Sequence, residues 1–231
     1  MTQKKKLPAL RHPLVVGTVH TTAGLTAAQG LRPRAVDGLE IRLDALAGQL
    51  PRVESALPRL KFPLLLTARH PAEGGIGSLD ARERAQLLLR FLPQAAAIDI
   101  ELRSVRALAS VMAAAAKRGL IRVVSFHDFR GTPTLPVLRA KLRAAGEAGA
   151  DVVKIATTLR GPRDLGVLLA LAGLAAKQPM ALMGMGPLGR VSRLALAAAG
   201  SCLNYGFLDR AQVPGQWPAA RLKELIKEIA Q

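Results

Sequence analysis

Short runs of Val, Ile and Leu recur along the chain, separated by longer stretches rich in Ala, Leu and Arg. The short runs have strand length and composition. They predict strands over Leu14–His20, Gly38–Asp44, Pro63–His70, Ala96–Leu102, Ile121–Phe129, Asp151–Leu159, Pro179–Gly186 and Ser201–Phe207. The stretches between them have helical length, as in Ala81–Phe91, Ser104–Arg118, Thr134–Glu147, Pro162–Lys177 and Leu188–Ala199, and a final helix runs from Pro218 to Ala230. Strands alternating with helices imply a parallel sheet. Eight such units in 231 residues predict an α/β chain folded as a compact (β/α)8 TIM barrel. A doubly wound open sheet is the runner-up. Residues 1–12 read as a basic flexible tail and 13–231 as a single barrel domain.

Alternation along each strand sorts side chains onto two faces, one meeting the helices and one lining the barrel. In GLEIRLD the apolar Leu39, Ile41 and Leu43 share the helix-facing side, so Glu40, Arg42 and Asp44 point inward. The same test places Leu65, Thr67 and Arg69 inside, then Asp99 and Glu101, then Ser125 and His127, then Lys154 with Val152 and Ala156. Five consecutive strands thus send ionisable groups into one interior. A lone buried charge costs several kcal/mol, so these groups must pair with one another or with a ligand. Any single one is as well explained by a structural ion pair; five strands together point to an active site.

Lys154 lies in mid-strand between Val153 and Ile155, an unusual place for lysine. Burial and neighbouring cations favour the neutral, nucleophilic amine, which makes a strand lysine in a barrel interior a candidate for Schiff-base chemistry. The plain alternative is an ion pair with Asp99 or Glu101. His127, on the preceding strand, is the neighbouring candidate for general acid/base work. His12, His20 and His70 read as ordinary histidines. No second His or Cys accompanies His127 at metal-ligand spacing, so a metal role is not expected.

MGMGPLG sets Gly184, Gly186 and Gly189 in a GxGxxG pattern, with Asp209 about 20 residues on, as a dinucleotide site requires. Too little chain follows to build a second nucleotide-binding half. The better reading is the loop after the seventh barrel strand, where backbone amides favour an anion and Arg193 adds a clamp for a carboxylate.

The net charge of +17 raises polyanion binding, but aromatics are only 3% and no nucleic-acid motif occurs, so a solvated basic surface is preferred and nucleic acid is not the expected partner. One cysteine, Cys202, precludes an intrachain disulfide and fits a reducing, cytoplasmic location. The N-terminal apolar stretch is broken by Pro8, Arg11, His12 and Pro13, which disfavours a signal peptide, and no run of about 18 apolar residues predicts a membrane span.

LEIRLD, TARHPAEGG, IDIEL, VVSFHDFRGTP, VVKIATT, MGPLGRVSR and VPGQ occur in this order. Through them the chain resembles the type I 3-dehydroquinate dehydratases over nearly its whole length. The resemblance implies a carbon–oxygen lyase of the shikimate pathway and aromatic amino acid biosynthesis, acting on the small molecule 3-dehydroquinate, without cofactor, as a homodimer. It implies that Lys154 forms an imine, His127 is the general acid/base and Glu73 orients it. Glu40, Arg42 and Arg69 match contacts to substrate hydroxyls and the carboxylate side, Arg193 the carboxylate-binding arginine, and Gln216 a loop glutamine that closes over substrate. Gln212 stands where the family carries serine, and the short N-terminus implies a reduced hairpin beneath the barrel. On this reading the ketone condenses with Lys154, His127 takes the adjacent proton and returns it to the departing hydroxyl, and hydrolysis frees 3-dehydroshikimate. The rival is a Schiff-base aldolase on the same barrel, which a substrate panel would expose by its two fragments.

Overall fold

A computed structural model describes residues 6–10 and 12–229. Eight parallel strands alternate with helices: β1 (Leu14–Val19), β2 (Gly38–Arg42), β3 (Leu64–Thr67), β4 (Ala97–Glu101), β5 (Ile121–Asp128), β6 (Val152–Thr158), β7 (Met180–Met185) and β8 (Leu203–Phe207). The helices are α1 (Thr22–Gln29), α2 (Leu50–Ala56), α3 (Ala81–Phe91), α4 (Ala109–Lys117), α5 (Leu135–Glu147), α6 (Pro162–Ala172), α7 (Gly189–Ala198) and α8 (Ala219–Ile229). The ladder runs β7-β6-β5-β4-β3-β2-β1-β8, so the sheet curls into a nearly closed (β/α)8 barrel. Its seam lies between β7 and β8. There the Cys202 N–H donates to the Met180 carbonyl at 2.8 Å, and the Ser201 hydroxyl accepts from the Leu182 N–H at 2.9 Å, in place of a full ladder.

Alternation produces two cores. Leu39, Ile41, Leu43, Leu64, Leu66 and Ile98 pack outward against the helices. Leu14, Val16, Leu65, Ala97, Val123 and Val152 fill the barrel floor, where Leu7 and Leu10 pack beneath them. Within the segment read as a flexible tail, residues 1–5 and 11 lie outside the described residues, as does Ala230 at the end of the final helix. The residues that alternation assigned to the interior do line it, because each buried apolar neighbour holds the opposite face against a helix.

Several elements are shorter than the sequence predicts. β3 stops at Thr67 because carboxylates take over from the ladder: the Arg69 N–H donates to Asp44 at 3.0 Å and the His70 N–H to Glu101 at 2.9 Å. The helix expected from Ser104 begins at Ala109, after a short 3-10 turn over Leu102–Ser104. The helix expected to reach Lys177 ends at Ala172. α3 is defined sharply at its start by a capping box between Asp80 and Glu83. Its buried face carries Arg84, Leu87, Leu88 and Phe91, an i, i+3, i+4, i+7 stripe with a charge at its head.

Candidate active site

The strand ends and following loops surround a cavity of about 430 Å³. Lys154, from the middle of β6, sits at its floor and is only 4% exposed. Its Nζ donates to Asp99 Oδ2 at 2.8 Å and stands 3.5 Å from Glu40 Oε1. The amine also lies 3.9 Å from the centroid of the Tyr205 ring. The ion pair with Asp99 that sequence reasoning set against an imine role is therefore present, in the same place as the cavity.

Asp99 joins the amine to a larger network. Arg69 grips it with two bonds, Nη1 to Oδ1 at 2.9 Å and Nη2 to Oδ2 at 2.8 Å. Arg69 Nη1 also donates to Glu101 at 3.0 Å and to the Ser125 hydroxyl at 2.6 Å. Burial alone would raise the Asp99 carboxyl, but the charges of Arg69 and Lys154 overcome it and hold the group well below the usual carboxylate range. Arg84 completes the layer from outside, donating to Glu101 Oε2 and to Ser104 Oγ, each at 2.9 Å. Glu40 accepts from the Thr67 hydroxyl at 2.9 Å. Arg42 is clamped on Asp44 by bonds of 3.0 and 2.8 Å and also donates to the Gly74 carbonyl at 2.9 Å.

Glu73 comes from a one-turn 3-10 helix, Pro71–Glu73, that ends on Gly74. Gly74 has φ 83°, and a Cβ there would meet the Phe129 ring at 2.6 Å, so only glycine turns the chain back at this point. The turn aims Glu73 at His127. Glu73 Oε2 receives both the His127 backbone N–H, at 2.9 Å, and ring Nδ1, 3.0 Å away. Burial, reinforced by the nearby Glu101 charge, pushes the Glu73 carboxyl up to about 7. Burial, then the charges of Arg69 and Lys154, hold His127 well below its ordinary value, so the imidazole is neutral. With an ionised Glu73 accepting from Nδ1–H, Nε2 carries the lone pair that a general base needs.

Arg193, in α7, differs from the other buried arginines. Its Nε donates to the Gly215 carbonyl at 3.2 Å and its Nη1 to the Tyr205 carbonyl at 2.9 Å, and no carboxylate partners it among the described residues. Burial pulls it down to about 10. The loops that place it meet backbone to backbone: a Cβ on Gly189 would lie 2.8 Å from Gly215 Cα. Of the GxGxxG glycines, Gly189 packs against the VPGQ loop, Gly186 has a positive φ of 81°, and a Cβ on Gly184 would run into the Leu159 and Ser192 side chains. In that loop the Gln212 N–H donates to Gln216 Oε1 at 2.7 Å, and both glutamines line the cavity.

All nine site residues expected from the sequence, Glu40, Arg42, Arg69, Glu73, His127, Lys154, Arg193, Gln212 and Gln216, line this one cavity. Sequence reasoning missed three further groups. Arg84 was legible, since its place on the apolar stripe of α3 marks it as buried. Tyr205 was legible as well, since alternation along β8 puts it on the inward face with Leu203. His20 was left as an ordinary histidine, and it lines the cavity too.

Fold and site together define a (β/α)8-barrel enzyme with a buried amine beside a neutral imidazole. The profile of the type I 3-dehydroquinase family matches residues 14–231. A 3-dehydroquinate dehydratase of Methanothermobacter thermautotrophicus is 34% identical over 202 residues, which is 85% of this chain and 88% of the relative. One from Albidiferax ferrireducens is 33% identical over 235 residues, 96% of this chain and 88% of the relative. The crystal structure of 3-dehydroquinate dehydratase from Geobacillus kaustophilus superposes with a TM-score of 0.84 at 28% identity, covering 95% of this chain and 91% of that one. The chain belongs to the type I 3-dehydroquinase family, and its activity is that of the family, dehydration of 3-dehydroquinate by a carbon–oxygen lyase.

Proposed function

We propose that the dehydration runs through an imine on Lys154, with His127 moving the protons. The observation that carries this reading is the placement of a 4%-exposed lysine amine on the floor of the cavity whose wall holds the Glu73–His127 pair. The amine adds to the substrate ketone and water leaves, giving a protonated imine that withdraws electrons from the adjacent C–H bond. Nε2 of neutral His127 takes that proton, the electron pair moves toward the imine, and the hydroxyl departs with the proton returned by His127. Water then releases 3-dehydroshikimate and the free amine. Glu73 keeps His127 in the tautomer that accepts at Nε2.

Arg193 receives the substrate carboxylate, since among the described residues it is the buried cation in the cavity without a carboxylate of its own. Gln212 and Gln216 close the same end. Glu40, Arg42 and Arg69 hold the ring from the other side, their positions stiffened by their own ion pairs. Borohydride added with 3-dehydroquinate should fix a mass increase on the peptide that carries Lys154; active protein that gives no adduct would overturn the imine.

A homodimer is part of the same proposal. Val137 on α5 and Leu169 on α6 leave apolar surface exposed on adjoining helices. A solution mass near 24.4 kDa would count against it. A cytoplasmic location accords with Cys202 as a buried free thiol.

A further inference from the structure

We infer that Tyr205 and His20 form a substrate-contacting wall that holds hydroxyls of the substrate ring; the inference rests on the reading of this cavity given above. β8 pairs with β1 so that Tyr205 lies opposite Val16, and the inward face of β1 continues through Thr18 toward His20. Tyr205, Thr18 and His20 thereby line one side of the cavity in succession. The nine site residues expected from the sequence come from β2, β5 and β6, the segment after β3, α7 and the loop after β8. This wall carries none of them.

Two polar atoms on it have no partner. Tyr205 Oη and His20 Nδ1 are buried, and neither makes a hydrogen bond among the described residues. Their residues are only 3% and 7% exposed. Buried polar atoms are almost always satisfied, and those that are not mark places where something else is expected to bind. Across the cavity the opposite holds: Arg69, Asp99 and Glu101 are committed to one another. The phenol keeps its proton, because burial and then the charges of Glu40 and Asp99 raise it well above its ordinary value, so it can donate. Nδ1 of a neutral imidazole can accept. A donor and an acceptor on one wall match hydroxyl groups, which both donate and accept. The Tyr205 ring lies 3.9 Å from the Lys154 amine, so a ring tethered to that amine passes alongside the wall. The two residues therefore set specificity for hydroxyls on the substrate ring that passes along this wall.

Tyr205→Phe tests this cleanly, since it keeps the ring beside Lys154 and removes one oxygen. It should raise KM for 3-dehydroquinate roughly tenfold, the size expected for one lost hydrogen bond to a buried group, with a smaller change in kcat. His20→Leu should do the same, while His20→Asn, whose amide sits near the position of Nδ1, should restore most of the affinity. Substrate analogues each lacking one ring hydroxyl give the sharper readout: for one of them the penalty of Tyr205→Phe should disappear. An unchanged KM in Tyr205→Phe and His20→Leu would overturn the inference. So would a penalty equal for every analogue, which marks a purely structural role. Failure of the imine reading is told apart by the wild-type chain, which would then give no borohydride adduct on Lys154.

Discussion

The two sides of the cavity are built on opposite principles. From β2 to β4, Arg42 grips Asp44, Arg69 grips Asp99, and Arg69 and Arg84 share Glu101. From α7 through β8 to β1, among the described residues, Arg193 has only carbonyl partners, and Tyr205 Oη and His20 Nδ1 have none. The paired side is preorganised: its charges satisfy each other, so the groups hold their geometry with or without substrate. The unpaired side withholds its partners for the ligand, and it adjoins the seam where the ladder is weakest. Lys154 and His127 lie on neighbouring strands between the two. The lesson is that equal burial does not mean equal role; the partner list separates scaffold from binding surface.

The largest expected effect falls at the junction of the two sides. Lys154→Met keeps length and apolar bulk but removes the amine, so turnover and borohydride trapping should both vanish. His127→Ala should lower kcat by roughly 10²–10⁴-fold, the usual loss of a general acid/base, while an adduct on Lys154 still forms. Mass spectrometry of the trapped peptide together with steady-state rates separates the two roles. If His127→Ala turns over normally, Glu73 becomes the first candidate for the base.

Next come the arginines of the two sides, which the comparison predicts to behave differently. Arg84→Met leaves Glu101 short of a buried partner and should cost about 3–5 kcal/mol of stability, read from denaturant unfolding. Arg193→Met removes a buried cation that has no carboxylate. It should change stability by about 1 kcal/mol or less, yet weaken substrate binding by roughly 2–3 kcal/mol. Should Arg193→Met unfold the protein and Arg84→Met spare it, the division into scaffold and binding surface is wrong.

The smallest effect is the pH response of Glu73. The ionised carboxylate stabilises the imidazolium that His127 becomes on taking a proton, so activity should rise with pH through about 7. The folded carboxyl holds its proton up to about 7, whereas an unfolded one releases it near 4.5, so this group's contribution to stability falls as pH climbs across that window. Glu73→Gln keeps an accepting oxygen but cannot titrate, so it should flatten both profiles; an unaltered activity limb would assign it to another group.

Alternation made much of the site legible in advance. Glu40, Arg42, Arg69, Asp99, Glu101, His127 and Lys154 could be placed inside because each shares a strand with apolar residues that must face the helices. Arg84 could have been found by the same logic applied to a helix. The two orphan atoms could not. His20 and Tyr205 look ordinary in sequence, since nothing in a pattern tells whether a buried polar atom will meet a partner. Strand ends were overestimated where Asp44 and Glu101 replace ladder bonds, because such exchanges join residues far apart in the chain.

By itself the sequence determined the class of fold, the count of repeating units, the inward-facing charges and, through seven motifs in order, the family. The first three follow from local periodicity, and the family from the resemblance that those motifs carry. The tertiary structure alone decided which charges neutralise one another, that Arg193 keeps no carboxylate, where the barrel seam falls, and which side of the cavity stays unsatisfied. Those outcomes depend on distances of a few ångströms between strands. Hydrogen bonds and ion pairs are made or lost over such distances.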